Sequence, residues 1–494
     1  MVQRAEICRP RRASVIAVTM VAGLLTLPAG VAAQDGDATP ATRTQKTAPA
    51  TESQAAGGTG EPSHKGDLWE RDVLTGDWHG LRSSLEEKGL TLGLNYIGEV
   101  LGNPAGGVGH GAIYEGRLDA ILDLDLEKAV GWAGGTFHVD AYQIHGRGLS
   151  LNYLNNNLLT VSGIEALRAT RLFDLWLQQT LFDDLVSVRA GQIAVDDEFF
   201  ISQYAAHFIN ATFGWPEFMG VNALSGGPVY PLATPGARIT LTPSRQLSFS
   251  AAVFNGDPAG RGPGNPQERD ASGTSFRLGD GAFSIAEAAY ARNQEKEAAG
   301  LPATYKLGGY YYTGRFGDPR EDDTGRSLAD PASSGRPAIR HTHFGFYLVA
   351  DQMVWRRAGT TDRGLGLFAR FAGDPTPGNQ INLYADAGIH YRGLLPDRDD
   401  DIFGVAVAYA KIGNEARGFD ADATRFTGRN RPIRDFEAVL EVTYKAHIAP
   451  WWSVQPDLQF IFHPGGNMAR PNDPGGTQAI PDALVLGLRS AVAF

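Results

Sequence analysis

The sequence predicts an all-β protein, a sixteen-stranded antiparallel transmembrane β-barrel with short periplasmic turns and long extracellular loops. Three observations carry that reading. Period-two alternation recurs along most of the chain. One face of the alternating segments is ionisable while the other is apolar. The connections between segments alternate short and long.

The 494 residues suffice for two or three ordinary domains or one large barrel. Arg4, Arg9, Arg11 and Arg12 precede an apolar stretch from Ala13 to Ala29, and Val31-Ala32-Ala33 offers small residues for cleavage. Residues 1–33 therefore read as a secretory signal peptide. The only cysteine, Cys8, lies inside it, so the mature chain is expected to hold no disulfide and no thiolate metal site. The formal charge is −11, and removing four arginines and one glutamate with the signal leaves about −14. Nucleic acid is a poor partner for such a chain. Residues 34–66, rich in Ala, Thr, Pro and Gly, read as a flexible linker that cannot bury enough apolar surface to offset its ordering entropy. Residues 67–89 read as a short periplasmic segment with a helix near Trp78–Leu85, and 90–494 as the barrel.

From Leu90 the alternation begins. In YEGRLDAILDLDLEK (114–128), Glu115, Arg117, Asp119, Ile121, Asp123, Asp125 and Glu127 take one face. Tyr114, Leu118, Leu122, Leu124 and Leu126 take the other. In 381–392, Asn382, Asp386, His390 and Arg392 oppose Ile381, Leu383, Ile389 and Tyr391. In 452–462, Ser453, Gln455, Asp457 and Gln459 oppose Trp452, Val454, Leu458, Phe460 and Phe462. Segments of this kind start near residues 90, 114, 134, 170, 185, 235, 246, 284, 304, 343, 364, 381, 401, 436, 452 and 483, those near 284 and 401 being weak. Little more than Asp183-Asp184 and Ser244-Arg245 joins the fourth strand to the fifth and the sixth to the seventh. Longer returns span 147–169, 196–234, 257–283, 315–342, 414–435 and 465–482. A soluble barrel would bury grease inward; here runs of full charge suit a wet interior, with the apolar face toward lipid. The final strand ends in Phe494, an aromatic carboxylate of the kind outer-membrane barrels present to their assembly machinery.

Several stretches carry a specific resemblance. DWHGLRSSLEEKGLTLGLNYIGEVLGN (77–103), the YEGRLD segment, GGTFHVDAYQIHGRGLS (134–150), GQIAVDDEFFISQYAAHFINATFGWP (191–216) and SGGPVYPLATPG (225–236) resemble the OprB family of carbohydrate-selective porins. The resemblance runs from about Asp77 to Phe494. It implies an outer-membrane channel of a Gram-negative bacterium that passes glucose and similar sugars by passive diffusion. His79 departs from it, standing where a glycine or small residue is expected. A general or ion-selective porin without a sugar site is the alternative. An enzyme is disfavoured, because neither G-x-S-x-G nor HExxH occurs.

A sugar-selective constriction needs flat apolar surface for the pyranose and charged groups for its hydroxyls. Trp176, on the polar face with Asp174 and Gln178, is the leading candidate for stacking. Arg117, between Glu115 and Asp119, and Arg189 are candidates for the hydroxyls, or for a ladder that neutralises lumen acids. Phe173 falls on the apolar face by parity, and so does Arg171, at a strand start. Asp123, Asp125 and Glu127 are assigned to a vestibule. The constriction-loop candidates are Asp196, Asp197, Glu198, Phe199, Phe200, Tyr204 and Trp215, with His207 close by. Loop 147–169, with Asn152, Asn155, Asn156 and Asn157, is the competing element. Asp196-Asp197-Glu198 is a poor metal site, since consecutive side chains diverge and no histidine completes a shell. No cofactor is expected. The expected partners are small sugars, the lipid bilayer, and the assembly machinery through Phe494, in a homotrimer or a monomer.

Overall fold

The computed structural model describes residues 64–494 except 157, 296 and 297. The signal peptide, nearly all of the proposed linker, and Asn157 lie outside the described residues. Sixteen strands follow in chain order: β1 (Leu90–Ala105), β2 (Gly111–Asp125), β3 (Gly135–Gly146), β4 (Ala169–Leu181), β5 (Val186–Ile193), β6 (Thr234–Leu241), β7 (Leu247–Asn255), β8 (Ala282–Arg292), β9 (Ala303–Asp322), β10 (Pro337–Arg356), β11 (Gly364–Gly373), β12 (Ile381–Arg392), β13 (Ile402–Ile412), β14 (Phe436–Ala449), β15 (Trp452–Phe462) and β16 (Ala483–Ala493). Every strand pairs antiparallel with its sequence neighbours. The sheet closes where β1 pairs β16, from Asn95 opposite Ala493 to Ala105 opposite Leu484. Closure removes the unpaired edge that a bilayer would not tolerate. Among the described residues no helix is long and apolar enough to cross a membrane.

The two faces sort as the alternation requires. Val100, Leu307, Val407 and Leu486 are exposed on the outer wall, whereas Glu437, Glu441 and Gln459 point inward and are fully buried. Three departures from the sequence reading have physical causes. First, β3 opposite β4 skips a residue between Asp140–Asp174 and Ala141–Leu172. Phe173 is the extra residue of this bulge, so both Phe173 and Arg171 turn inward and are buried, against the parity expected for them. Second, β9 and β10 extend to Asp322 and back to Pro337, so the return expected at 315–342 shrinks to 323–336. Register shifts at Pro337/Ile339 and Arg340/Thr342 hide the alternation there. Third, Asp125 caps the short helix Leu126–Val130 by accepting from the backbone N–H groups of Glu127 and Lys128, so it ends the strand rather than lining a vestibule.

The N-terminal segment sits at the rim that holds the shortest turns, 182–185 and 450–451. Its helix, Leu81–Glu87, follows a turn in which His79 has φ +60°. That left-handed conformation explains why a glycine is the expected occupant. Buried Arg82 donates to the Phe494 carbonyl at 2.8 Å, and Leu74 N–H donates to the Ala493 carbonyl at 2.8 Å. The segment thus covers the end of β16 beside the β1–β16 seam.

Candidate functional site

The inward charges answer to the loops that fill the barrel more than to open water. The 194–233 connection crosses the interior, and wall acids accept its backbone amides. Glu287 (β8) takes Phe200 N–H at 2.9 Å. Asp351 (β10) takes Gln203 N–H at 2.9 Å and the Ser202 hydroxyl at 2.5 Å. Glu441 (β14) takes Ile209 and Asn210 N–H at 2.7 and 3.0 Å. Arg370 (β11) donates to the carbonyls of Thr212 and Phe213. The second connection, 147–168, is held the same way, with Leu159 N–H on Glu437 at 2.8 Å. A buried backbone amide needs a partner, and a carboxylate is the strongest one a strand can offer. Both candidate constriction loops are therefore packed inside the barrel. Phe199, Phe200, Leu149, Leu154 and Leu159 are fully buried among them.

Trp176 is on the lumen side and buried, but its ring is covered. The Arg189 guanidinium lies 3.7 Å from its centroid and His138 stacks at 4.6 Å. These partners come from β5 and β3, the two neighbours of β4 in the sheet. Arg189 is committed too. It pairs with Glu198 at 2.7 Å, and Arg238 of β6 holds the other Glu198 oxygen at 2.5 Å. Glu198 is thus the bolt that fixes the start of the loop to the wall. Phe200 packs on Tyr347, and Tyr204 and His207 stack on His390.

The chemistry gathers instead in a cavity of about 380 Å³ between β2–β4 and the two loops. Of the sequence candidates it brings together Arg117, Asp196, Asp197 and Trp215; Trp176, Arg189, Asp174, Glu115, Asp119, Glu198, Phe199, Phe200 and Tyr204 are not in its lining. Arg117 donates to both oxygens of Asp119 at 2.7 and 3.1 Å. Its guanidinium also lies 4.7 Å from the Tyr142 ring and 5.0 Å from the Tyr230 ring. Trp215 spends its indole N–H on the Phe199 carbonyl at 2.9 Å, which fixes the ring plane. Asp196 accepts Tyr230 N–H at 3.0 Å. Burial, with Asp197 alongside, pushes the Asp196 carboxyl up to about 8. Burial and the neighbouring Asp174 hold Asp197 well above the usual carboxylate range.

The sequence reading missed Tyr142, Phe173, Glu165, Glu217 and Tyr230, which also line the cavity. Tyr142 and Phe173 stack at 4.8 Å because the β4 bulge turns Phe173 inward. Glu165 accepts Ser150 and Leu151 N–H, each at 3.0 Å, and burial raises it to about 7. Glu217 accepts from the Thr160 hydroxyl at 2.6 Å, so it bridges the two loops. The aromatic-acid composition of 191–236 could have flagged Glu217 and Tyr230; nothing local marks Tyr142, Phe173 or Glu165.

A family model described as "Carbohydrate-selective porin, OprB family" matches residues 109–494. Porin B of Pseudomonas aeruginosa is 25% identical over 453 residues, covering 88% of this chain and 95% of that protein. "Putative porin QuiX" of Acinetobacter baylyi is 22% identical over 455 residues, covering 87% and 95%. The high-pH structure of Pseudomonas putida OprB superposes with a TM-score of 0.76 at 26% identity, covering 87% of this chain and all of that one. With its closed sixteen-stranded wall and loop-narrowed interior, the chain belongs to the OprB family of carbohydrate-selective porins and forms a sugar-selective channel of the Gram-negative outer membrane.

Proposed function

We propose that sugars cross this channel through the cavity bounded by Arg117, Asp196, Asp197 and Trp215. The observation that carries the reading is the donor–acceptor imbalance of the site. Asp196 Oδ1 is buried without a hydrogen-bond partner among the described residues, and Asp197 faces only another carboxyl, that of Asp174. Buried acceptors without donors cost free energy, and a polyhydroxylated ligand supplies donors at close spacing. Trp215 offers the flat apolar surface that the axial C–H groups of a pyranose require, and the Arg117–Asp119 pair places a fixed dipole at the cavity wall. Trp176 and Arg189 serve as a buttress that, through Glu198, sets the position of the loop carrying Asp196 and Asp197.

Because the interior is crowded, passage is a succession of weak contacts rather than free flow, and weak contacts let the sugar leave. The rim with the shortest turns faces the periplasm and the long-loop rim faces the exterior. Diffusion is passive, and the protein acts as a channel rather than an enzyme. Phe494 at the end of β16 is the segment offered to the assembly machinery. Liposome swelling tests the reading: glucose should enter porin-containing vesicles faster than a non-sugar polyol of similar mass. Equal rates for the two would favour a general porin.

A further inference from the structure

The cavity is lined by four carboxyl groups, Glu165, Asp196, Asp197 and Glu217, against one guanidinium, Arg117. The positive charge of Arg117 is already answered by Asp119. The two other cations near the loop start, Arg189 and Arg238, share Glu198 between them. Behind the lining stand two more buried carboxyls, Asp140 and Asp174, the latter hydrogen-bonded to Asp197, and Asp197 itself is only 8% exposed. A third cation, Arg171, is buried behind the lining and spends two donors on the carbonyls of Pro231 and Gln267, so within the lining itself carboxyl groups outnumber cationic ones. A neutral hydroxyl satisfies one acceptor. An ammonium brings three donors and the countercharge that allows a buried carboxyl to ionise. A carboxylate ligand brings more acceptors and a like charge.

We propose that the channel discriminates among sugars by charge, with Asp196 and Asp197 favouring amino sugars in the ammonium form over neutral sugars and rejecting sugar acids. This rests on the reading that sugars pass through this cavity. Burial and the neighbouring carboxyls push Asp196 and Asp197 toward the neutral form, and an entering ammonium supplies the countercharge that favours ionisation and gains a charge-assisted bond. An entering sugar acid gains neither.

The test is single-channel block of the purified porin in planar bilayers by glucose, glucosamine, N-acetylglucosamine and glucuronate at one ionic strength. Glucosamine should half-block at a concentration about tenfold below glucose, the gain of one charge-assisted over one neutral hydrogen bond. N-acetylglucosamine, which keeps the nitrogen and loses the charge, should fall back to the glucose range. Glucuronate should need a concentration about tenfold above that of glucose. Asp196→Asn and Asp197→Asn should each move the glucosamine-to-glucose ratio toward one. Glucose block with no advantage for glucosamine, glucuronate block equal to that of glucose, or an unchanged ratio in the double variant would each overturn the inference. Absence of block by glucose itself would instead overturn the reading of the cavity as the sugar path.

Discussion

Replacing Glu441 with alanine should open the channel without unfolding the barrel. Glu441 is fully buried on β14, and its two oxygens accept the amides of Ile209 and Asn210. Both amides lie midway along the 194–233 connection, on the far side of the barrel from where it leaves β5. Truncation strips both of their acceptor. At about 1–3 kcal/mol for each buried donor left unpaired, the packed loop loses roughly 2–6 kcal/mol. Asn210 also donates to Gln459 at 3.0 Å, which retains part of the anchorage. The ladder of β14 with β13 and β15 is backbone pairing and survives. The expected channel therefore migrates as a folded, heat-modifiable barrel, conducts more than the original, and shows weakened sugar block. Glu441→Gln, which can accept from one amide, should fall between the two. A Glu441→Ala channel with the original conductance and the original sugar block would refute the claim that wall carboxylates hold the constriction in place.

Other consequences follow from the same geometry. Leu486, half exposed on the outer face of β16, should not tolerate arginine, since a lipid-facing charge costs roughly 2–4 kcal/mol near the midplane; normal yields of assembled Leu486→Arg barrel would contradict the facing. Trp176→Ala removes a cation–π contact worth about 0.5–2 kcal/mol to Arg189 and should lower the thermal stability of the folded barrel. Sugar block should change little in that variant, and a tenfold loss of block would mean that sugar reaches the indole. Glu165 and Asp196, raised to about 7 and about 8, are neutral below those values and negative above them. Cation selectivity, read from reversal potentials in a salt gradient, should therefore rise with pH through that window, and a flat profile would contradict the burial of these carboxyls.

The barrel was legible because its wall obeys a local rule. Side chains alternate between lipid and interior, so LDLDLEK or SVQPDLQF announces its two faces without knowledge of any neighbour. Strand starts such as Gly364, Ile381, Phe436, Trp452 and Ala483 follow directly from that rule. The rule fails where backbone geometry departs from the pleat. Phe173 and Arg171 read as outward because the bulge opposite Asp140 leaves no mark in the residues themselves. Trp176 was correctly placed on the interior face, yet parity says nothing about what else occupies the space beside it. His138 and Arg189 lie 38 and 13 positions from it in sequence and meet it only through the β3–β4–β5 register. The cavity was the least legible part. Its lining joins Arg117 on β2, Glu165 on one loop and Asp196, Trp215, Glu217 and Tyr230 on another, and no period relates these positions.

Single-channel current recorded while glucose is titrated, for the original protein and for Trp215→Ala and Arg117→Ala, tests the location of the sugar path most directly. Trp215 and Arg117 lie in different elements and meet only at the cavity. Saturable block is expected in the original protein. Each variant should need a concentration about tenfold higher or more for half-block, the loss expected when a stacking surface or the charge fixed at the cavity wall is removed. Glucose block that is saturable and identical in all three channels would contradict it, because the sugar would then bind somewhere other than this cavity.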